Sequence, residues 1–214
     1  MVDMPKSMLA RRLVLSGRAF TLLILLSGQL ASAHAWSLTL SAASRRVFLH
    51  VGNGTADRNN GTVNLVTANL SGAQLIAGTP QAMTSNSTQS RSLYDGYTTC
   101  PDPANQVMVG ASYRRNNSFN GPASATLRVS SPASLTSAAG DTLPFSEISW
   151  TVSAPGSAQP NVIPAGTFNG GTQTLASVPA NTYIENCHSY RFANSAVRAA
   201  GTYNGRVTYT LSSP

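Results

Sequence analysis

The chain has 214 residues, with 14 Lys and Arg against seven Asp and Glu, a formal net charge of +7 and only two cysteines. That is length enough for one domain with a proper core. Neither a clustered basic stripe nor a recognisable nucleic-acid module is present, so the positive charge does not argue for nucleic-acid binding.

Much of the charge lies at the N-terminus. Lys6, Arg11, Arg12 and Arg18 precede or flank the short apolar run Ala19–Leu26, and Ala33-His34-Ala35 is the small-x-small pattern read by signal peptidase. Residues 1–35 are therefore expected to be a cleaved signal peptide, leaving Trp36 first. The apolar run is too short to span a bilayer, and no later stretch approaches the roughly 20 apolar residues that a membrane helix needs. Four of the 14 basic residues and one of the seven acids (Asp3) belong to this leader, so ten arginines face six acids in residues 36–214, with no lysine. The expected location is secreted, periplasmic or at a bacterial cell surface.

Residues 36–214 read as a single all-β domain. Trp36, Leu38, Leu40 and Ala42 alternate with Ser37, Thr39, Ser41 and Ala43, a short strand of apolar pegs. It is either the first strand of the domain's own sheet or a segment given to another chain. Further strands are expected over 46–51, 62–70, 106–113, 124–129, 147–152, 161–168, 172–178, 182–192 and 203–211. No stretch keeps a helical period, and Glu and Lys, the usual filling of solvent-facing helices, are nearly absent. Strands at this spacing with turn signals between them indicate an antiparallel sandwich or barrel. Asn-Gly steps at 53–54, 60–61, 120–121, 169–170 and 204–205 are candidate turns, because both residues tolerate positive φ. Segments 131–141 and 153–160, rich in Ser, Ala, Pro and Gly, read as surface loops.

Cys100 and Cys187 have no CxxC spacing and no ligand cluster around them. In an oxidising compartment two such cysteines pair, so a structural disulfide is expected, with no metal and no cofactor. Chemistry-bearing residues are few. His50 alternates out of phase with Val47, Leu49 and Val51 and is expected to point to solvent; His188 beside Cys187 reads as loop or strand filler. The six acids, Glu147 and Glu185 among them, are expected to be mostly solvated. There is no Gly-x-Ser-x-Gly elbow, HExxH, P-loop or dinucleotide fingerprint. The chain is accordingly read as not an enzyme, with a spatially assembled hydrolase site as a remote alternative. Tyr94, Tyr97, Tyr113, Tyr183, Tyr190 and Phe192 offer a sugar-stacking platform if they are exposed, which makes a monomeric secreted carbohydrate-binding module, with a glycan ligand, the principal alternative.

The C-terminal segment carries the most specific pattern. From Tyr203, the residues Tyr203, Gly205, Val207, Tyr209 and Leu211 alternate with Asn204, Arg206, Thr208, Thr210 and Ser212. Gly201 stands fourteenth from the end, followed by Thr202-Tyr203, with Tyr209 near the terminus. This ending resembles subunits of bacterial chaperone–usher pili, including the spore-coat-U-like branch. The resemblance implies an immunoglobulin-like sandwich lacking one strand, completed by a neighbour's N-terminal extension. It casts residues 36–44, through Trp36, Leu38, Leu40 and Ala42, as donor strand. The segment Tyr203–Leu211, entered through Gly201, would border the acceptor groove. The partners it implies are further copies or other pilus subunits and a periplasmic chaperone.

Overall fold

A computed structural model describes residues 36–55, 64–94, 96–118, 121–153 and 163–213. All belong to one compact unit, Ser32–Pro214. The expected signal peptide, the Asn60-Gly61 step and nearly all of the 153–160 segment lie outside the described residues.

In chain order the elements begin with β1 (Trp36–Thr39), β2 (Arg46–Val51), β3 (Gly54–Thr55), β4 (Val66–Thr67), α1 (Gly72–Ala77), β5 (Gln81–Ala82) and β6 (Thr84–Ser85). Next come β7 (Val107–Arg114), β8 (Ser124–Ser130), β9 (Ser134–Ser137), β10 (Thr142–Pro144), a 3-10 turn (Phe145–Glu147) and β11 (Ile148–Val152). The chain closes with β12 (Gly166–Thr167), β13 (Thr172–Pro179), β14 (Thr182–Phe192), β15 (Tyr203–Asn204) and β16 (Thr208–Ser212). The expected strands 46–51 and 182–192 have those bounds. Every ladder between strands is antiparallel.

The larger sheet runs β12-β11-β14-β7-β2-β3. β14 is its hub. Residues 182–187 pair with β7 and residues 188–192 with β11 on the opposite edge, while β1 shares the β11 edge and β5 the β7 edge. Facing it are the sheet β13-β8-β16 and the small sheet β10-β9-β15. Residues of both layers meet in one core: Val109, Ala111, Tyr113, Ile184 and Tyr190 from the larger sheet, Ala125, Leu127, Val129, Leu175 and Val178 from the smaller. This is an antiparallel β-sandwich, as the alternation predicts.

β8 shows the rule plainly. Ala125, Leu127 and Val129 are buried while Arg128 between them is exposed. Across the ladder Tyr209 stands opposite Val129 and Leu211 opposite Leu127, so the apolar side of the C-terminal strand faces the core as expected. A bulge between Thr174 and Ala176 turns both Leu175 and Ala176 inward. Of the Asn-Gly steps, Asn169-Gly170 makes the expected turn, with Gly170 at φ +73° between β12 and β13.

Three expectations need correction. The 131–141 segment is not a plain surface loop: Ser134–Ser137 pairs with Thr142–Pro144 as a hairpin and also with β15. Leu143 supplies the buried apolar side of that hairpin. The C-terminal strand is not continuous. Its first part pairs with β9 and its second with β8, and the chain crosses between sheets at Gly205, where a Cβ would lie 2.7 Å from both Leu135 and Phe145. Finally, a six-residue helix, Gly72–Ala77, interrupts the β texture. Its start is set by a capping box, in which Gln74 N donates to Ser71 Oγ (3.3 Å) and Ser71 N to Gln74 Oε1 (2.8 Å).

Candidate functional site

The two faces of β14 create two separate environments. Even-numbered residues (Ile184, Asn186, His188, Tyr190, Phe192) face the sandwich core; Tyr183, Glu185 and Cys187 face away from it. That second face is not open to water. Residues 86–94 and 96–106 lie over it as a strap, joined by the Cys100–Cys187 disulfide, whose Cα atoms are 5.6 Å apart. The predicted disulfide is present, and it closes an 87-residue separation. Cys100, Cys187 and Met108 form a small apolar cluster of their own beneath the strap.

The strap is held by polar contacts at its start and by rings in its middle. Asn53 Oδ1 accepts from Thr88 N at 2.8 Å and from Ser87 Oγ at 3.3 Å, fixing its start to the β2–β3 turn. Farther along, Ser92 N donates to Tyr97 O (2.8 Å) and Cys100 N to Ser90 O (3.0 Å), which folds the strap on itself. Tyr94 then stacks on Tyr183 with centroids 4.0 Å apart and meets Phe48 edge-on at 5.6 Å. Its hydroxyl shares a 2.7 Å hydrogen bond with Ser112.

Under this roof His50, Gly110 and Glu185 stand in register on three adjacent strands. Gly110 leaves the middle position empty of side chain, and Tyr183 fills it: a Cβ at Gly110 would lie 2.3 Å from the tyrosine oxygen. That hydroxyl donates to Glu185 Oε2. Burial, and next the charge of Glu185, push the Tyr183 phenol far above its usual range, so it stays protonated and donating. His50 is 1% exposed and Glu185 0%. Both sequence expectations are overturned here, since neither residue is solvated. Alternation placed His50 on the non-core face correctly, but that face is covered. Acid–base side chains are thus gathered at one point, buried beneath Tyr94 and the tethered strap. The array seats the strap.

His188 belongs to the other face. It lies in strand β14, 0% exposed, parallel to Trp150 at 6.3 Å and crossed by Tyr209 at 6.5 Å. Burial pushes its imidazole down to about 3, so the ring is neutral. Nearby, Tyr190 on one sheet and Tyr209 on the other share a 2.8 Å hydrogen bond between hydroxyls. Burial raises both phenols, Tyr190 to about 12.

The sugar-stacking platform is corrected in the same way. Tyr113, Tyr183, Tyr190 and Phe192 are all buried, and only Tyr97, at 59%, stands well into solvent. Tyr94 is intermediate and forms one wall of a groove of about 470 Å³ lined also by Arg46, Val47, Phe48, Thr55, Leu93 and Arg114. Alternation alone could have suggested this groove, because Arg46 and Phe48 share one side of β2.

The expected donor segment lies against its own chain. Trp36–Thr39 pairs with Thr182–Glu185, Leu40 N donates to Asn181 O at 2.8 Å, and Arg114 holds Ser41 O with Nε at 3.1 Å and Nη2 at 2.7 Å. Register puts Leu38 opposite Tyr183, on the strap side of the sheet and away from the sandwich core. Leu38 and Leu40 are half-buried and Ala42 is exposed. At the other terminus Gly201 is exposed, Tyr203 donates its hydroxyl to Ala199 O (2.9 Å), and Val207, Tyr209 and Leu211 are half-buried against the core. Arg45 binds Ser213 through Nη2 to Oγ at 2.6 Å, fastening the end of β16 beside the start of β2. Among the described residues no group of three or more His, Cys, Asp or Glu could hold a metal.

Comparison with known proteins returns no matching family model, no matching curated protein and no matching solved structure.

Proposed function

We propose that this chain is an exported structural or adhesive surface subunit that assembles by β-strand donation. One observation carries the reading. β16 is the last strand and an edge strand, bonded to β8 on one side and to no other strand among the described residues. Its free backbone groups form a template for another chain's strand. Tyr209 and Leu211 already face inward while Thr208 and Thr210 are exposed, so an added strand extends a sheet whose core face is in place.

The donor is the N-terminal segment 36–44. Its own seat is four register pairs long, at what becomes the chain end once the leader is removed, where local opening costs least. Released from Thr182–Glu185, it brings Trp36, Leu38, Leu40 and Ala42 to the edge of a neighbour's β16. Partners on this reading are further copies or related subunits, with a periplasmic chaperone guarding the edge before assembly. The leader supplies the export route, and an oxidising compartment suits the disulfide.

The test is the mobility of unheated and boiled protein on SDS gels, with and without residues 36–44, after expression with export. A heat-labile ladder that vanishes on deletion supports strand donation. A heat-labile ladder that survives deletion assigns assembly to another surface, and monomer in every lane, at high concentration and with a pilus chaperone supplied, refutes it.

A further inference from the structure

We propose that the groove beside the strap binds an acidic saccharide, with Arg46 and Arg114 engaging a carboxylate or sulfate and Phe48 and Tyr94 receiving the sugar's apolar face. The inference stands on this groove and does not rest on strand donation.

Arg46 and Arg114 are direct cross-strand partners on β2 and β7. Like charges placed directly opposite are destabilising in a sheet. Here the pair is kept at the mouth of a concavity, and neither arginine is ion-paired with an acid among the described residues, where the ion pair formed is Arg198–Glu147. Arg114 is oriented by a neutral group, the Ser41 carbonyl, which fixes its direction without neutralising its charge. The Arg46 side chain is exposed and makes no hydrogen bond among the described residues. An anion between the two guanidinium groups would turn this repulsion into two charge-assisted contacts.

The rest of the lining selects what carries the anion. Phe48 lies two residues from Arg46 on the same side of β2, edge-on to Tyr94 at 5.6 Å. Tyr94 is fixed by its stack on Tyr183 and its bond to Ser112, so the aromatic wall is rigid before any ligand arrives. Thr55 adds a hydroxyl, and Leu93 closes the rim. At about 470 Å³ the groove falls within the roughly 300–1,000 Å³ of small-ligand sites. Two cations beside aromatic rings suit a short, sparsely charged, partly apolar ligand. A nucleic acid would call for a longer basic track.

The test is calorimetric titration of the folded protein with an oligogalacturonate (carboxylate) and a heparin-derived tetrasaccharide (sulfate), using maltotetraose as neutral control. Saturable binding of at least one acidic oligosaccharide is expected, absent for maltotetraose and weakened by salt. Arg46→Gln and Arg114→Gln should each weaken it about tenfold, the loss of a charge-assisted contact. Arg46→Lys, which keeps charge without the fork, should fall between. Circular dichroism of each variant shows whether the sandwich is intact, and Arg46→Gln, at an exposed position, removes no side-chain hydrogen bond or ion pair among the described residues. Unchanged affinity in Arg46→Gln, no saturable binding of either acidic oligosaccharide into the millimolar range, or equal affinity for an octathymidylate would each overturn the proposal.

Discussion

His188 makes the stability of this protein depend on acid in a calculable way. The ring is fully buried between Trp150 and Tyr209, and its folded-state value is about 3 against 6.5 in an unfolded chain. Between those values the unfolded state carries the proton and the folded state does not. Stability therefore rises with pH across this window and is lost as pH falls from about 6.5 toward 3. Each pH unit inside the window is worth about 1.4 kcal/mol, so moving from pH 7 to pH 4.5 removes on the order of 3 kcal/mol through this residue alone. Against a typical domain stability of roughly 5–15 kcal/mol, that is a large fraction. The assay is urea unfolding by fluorescence of the wild type and of His188→Phe at half-unit steps from pH 7 to 4. Phenylalanine keeps an aromatic ring beside Trp150 and removes the titrating group. Other ionisable groups contribute to both proteins, so the difference between the two pH profiles isolates residue 188. The profiles should diverge by about 1.4 kcal/mol per pH unit below pH 6. Parallel profiles would refute the desolvated, neutral imidazole.

Replacing Cys100 and Cys187 by alanine frees the strap and should cost about 4–5 kcal/mol by the chain-entropy account for this separation, read as a lowered urea midpoint. Exposure of Tyr183 and Glu185 should follow, seen as faster amide exchange in β14. A smaller perturbation of the same layer is Gly110→Ala. Its methyl would sit 2.3 Å from the Tyr183 hydroxyl, so the ring must tilt away from Glu185; a loss of roughly 1–3 kcal/mol is expected in the same unfolding assay.

Sequence alternation was a good guide where a strand has water on one side. Ala125, Leu127 and Val129 declare their face because Thr126 and Arg128 declare the other. It misled at His50 and Glu185 for a definite reason. Their face is covered by a strap that is mostly irregular, comes from a distant part of the chain and is joined through Cys100. Nothing local to residues 46–51 or 182–192 announces that roof. In hindsight the continuous burial of Val107–Tyr113 shows that β7 is enclosed on both faces. Its sequence, VMVGASY, is close to an unbroken run of apolar and small residues, the one local hint that was available. The hairpin over 134–144 was hidden by composition, since small and polar residues dominate it and only Leu135 and Leu143 carry apolar weight. At the C-terminus the period-2 pattern persists while the pairing partner changes. Alternation reports which way a residue faces and says nothing about which strand lies beside it.

The hub strand explains why a chain with so few ionisable groups buries several of them. Over Tyr183–His188, β14 is enclosed by the opposite sheet on one face and by the strap on the other, so odd and even residues there both lose water. On the core side the cost is limited by keeping His188 neutral and pairing the Tyr190 and Tyr209 hydroxyls across the two layers. On the strap side the carboxyl of Glu185 receives the Tyr183 hydroxyl, and the Tyr183 ring in turn stacks on Tyr94. Both buried hydroxyl clusters therefore have a structural consequence. The Tyr190–Tyr209 pair ties the last strand to the hub, and the Glu185–Tyr183–Tyr94 chain fixes the aromatic wall of the arginine groove. Stability of the hub and rigidity of the outer surface are linked through the same side chains. A change such as Gly110→Ala, buried well below the groove, should therefore weaken an acidic ligand by moving Tyr94, although it leaves Arg46 and Arg114 untouched.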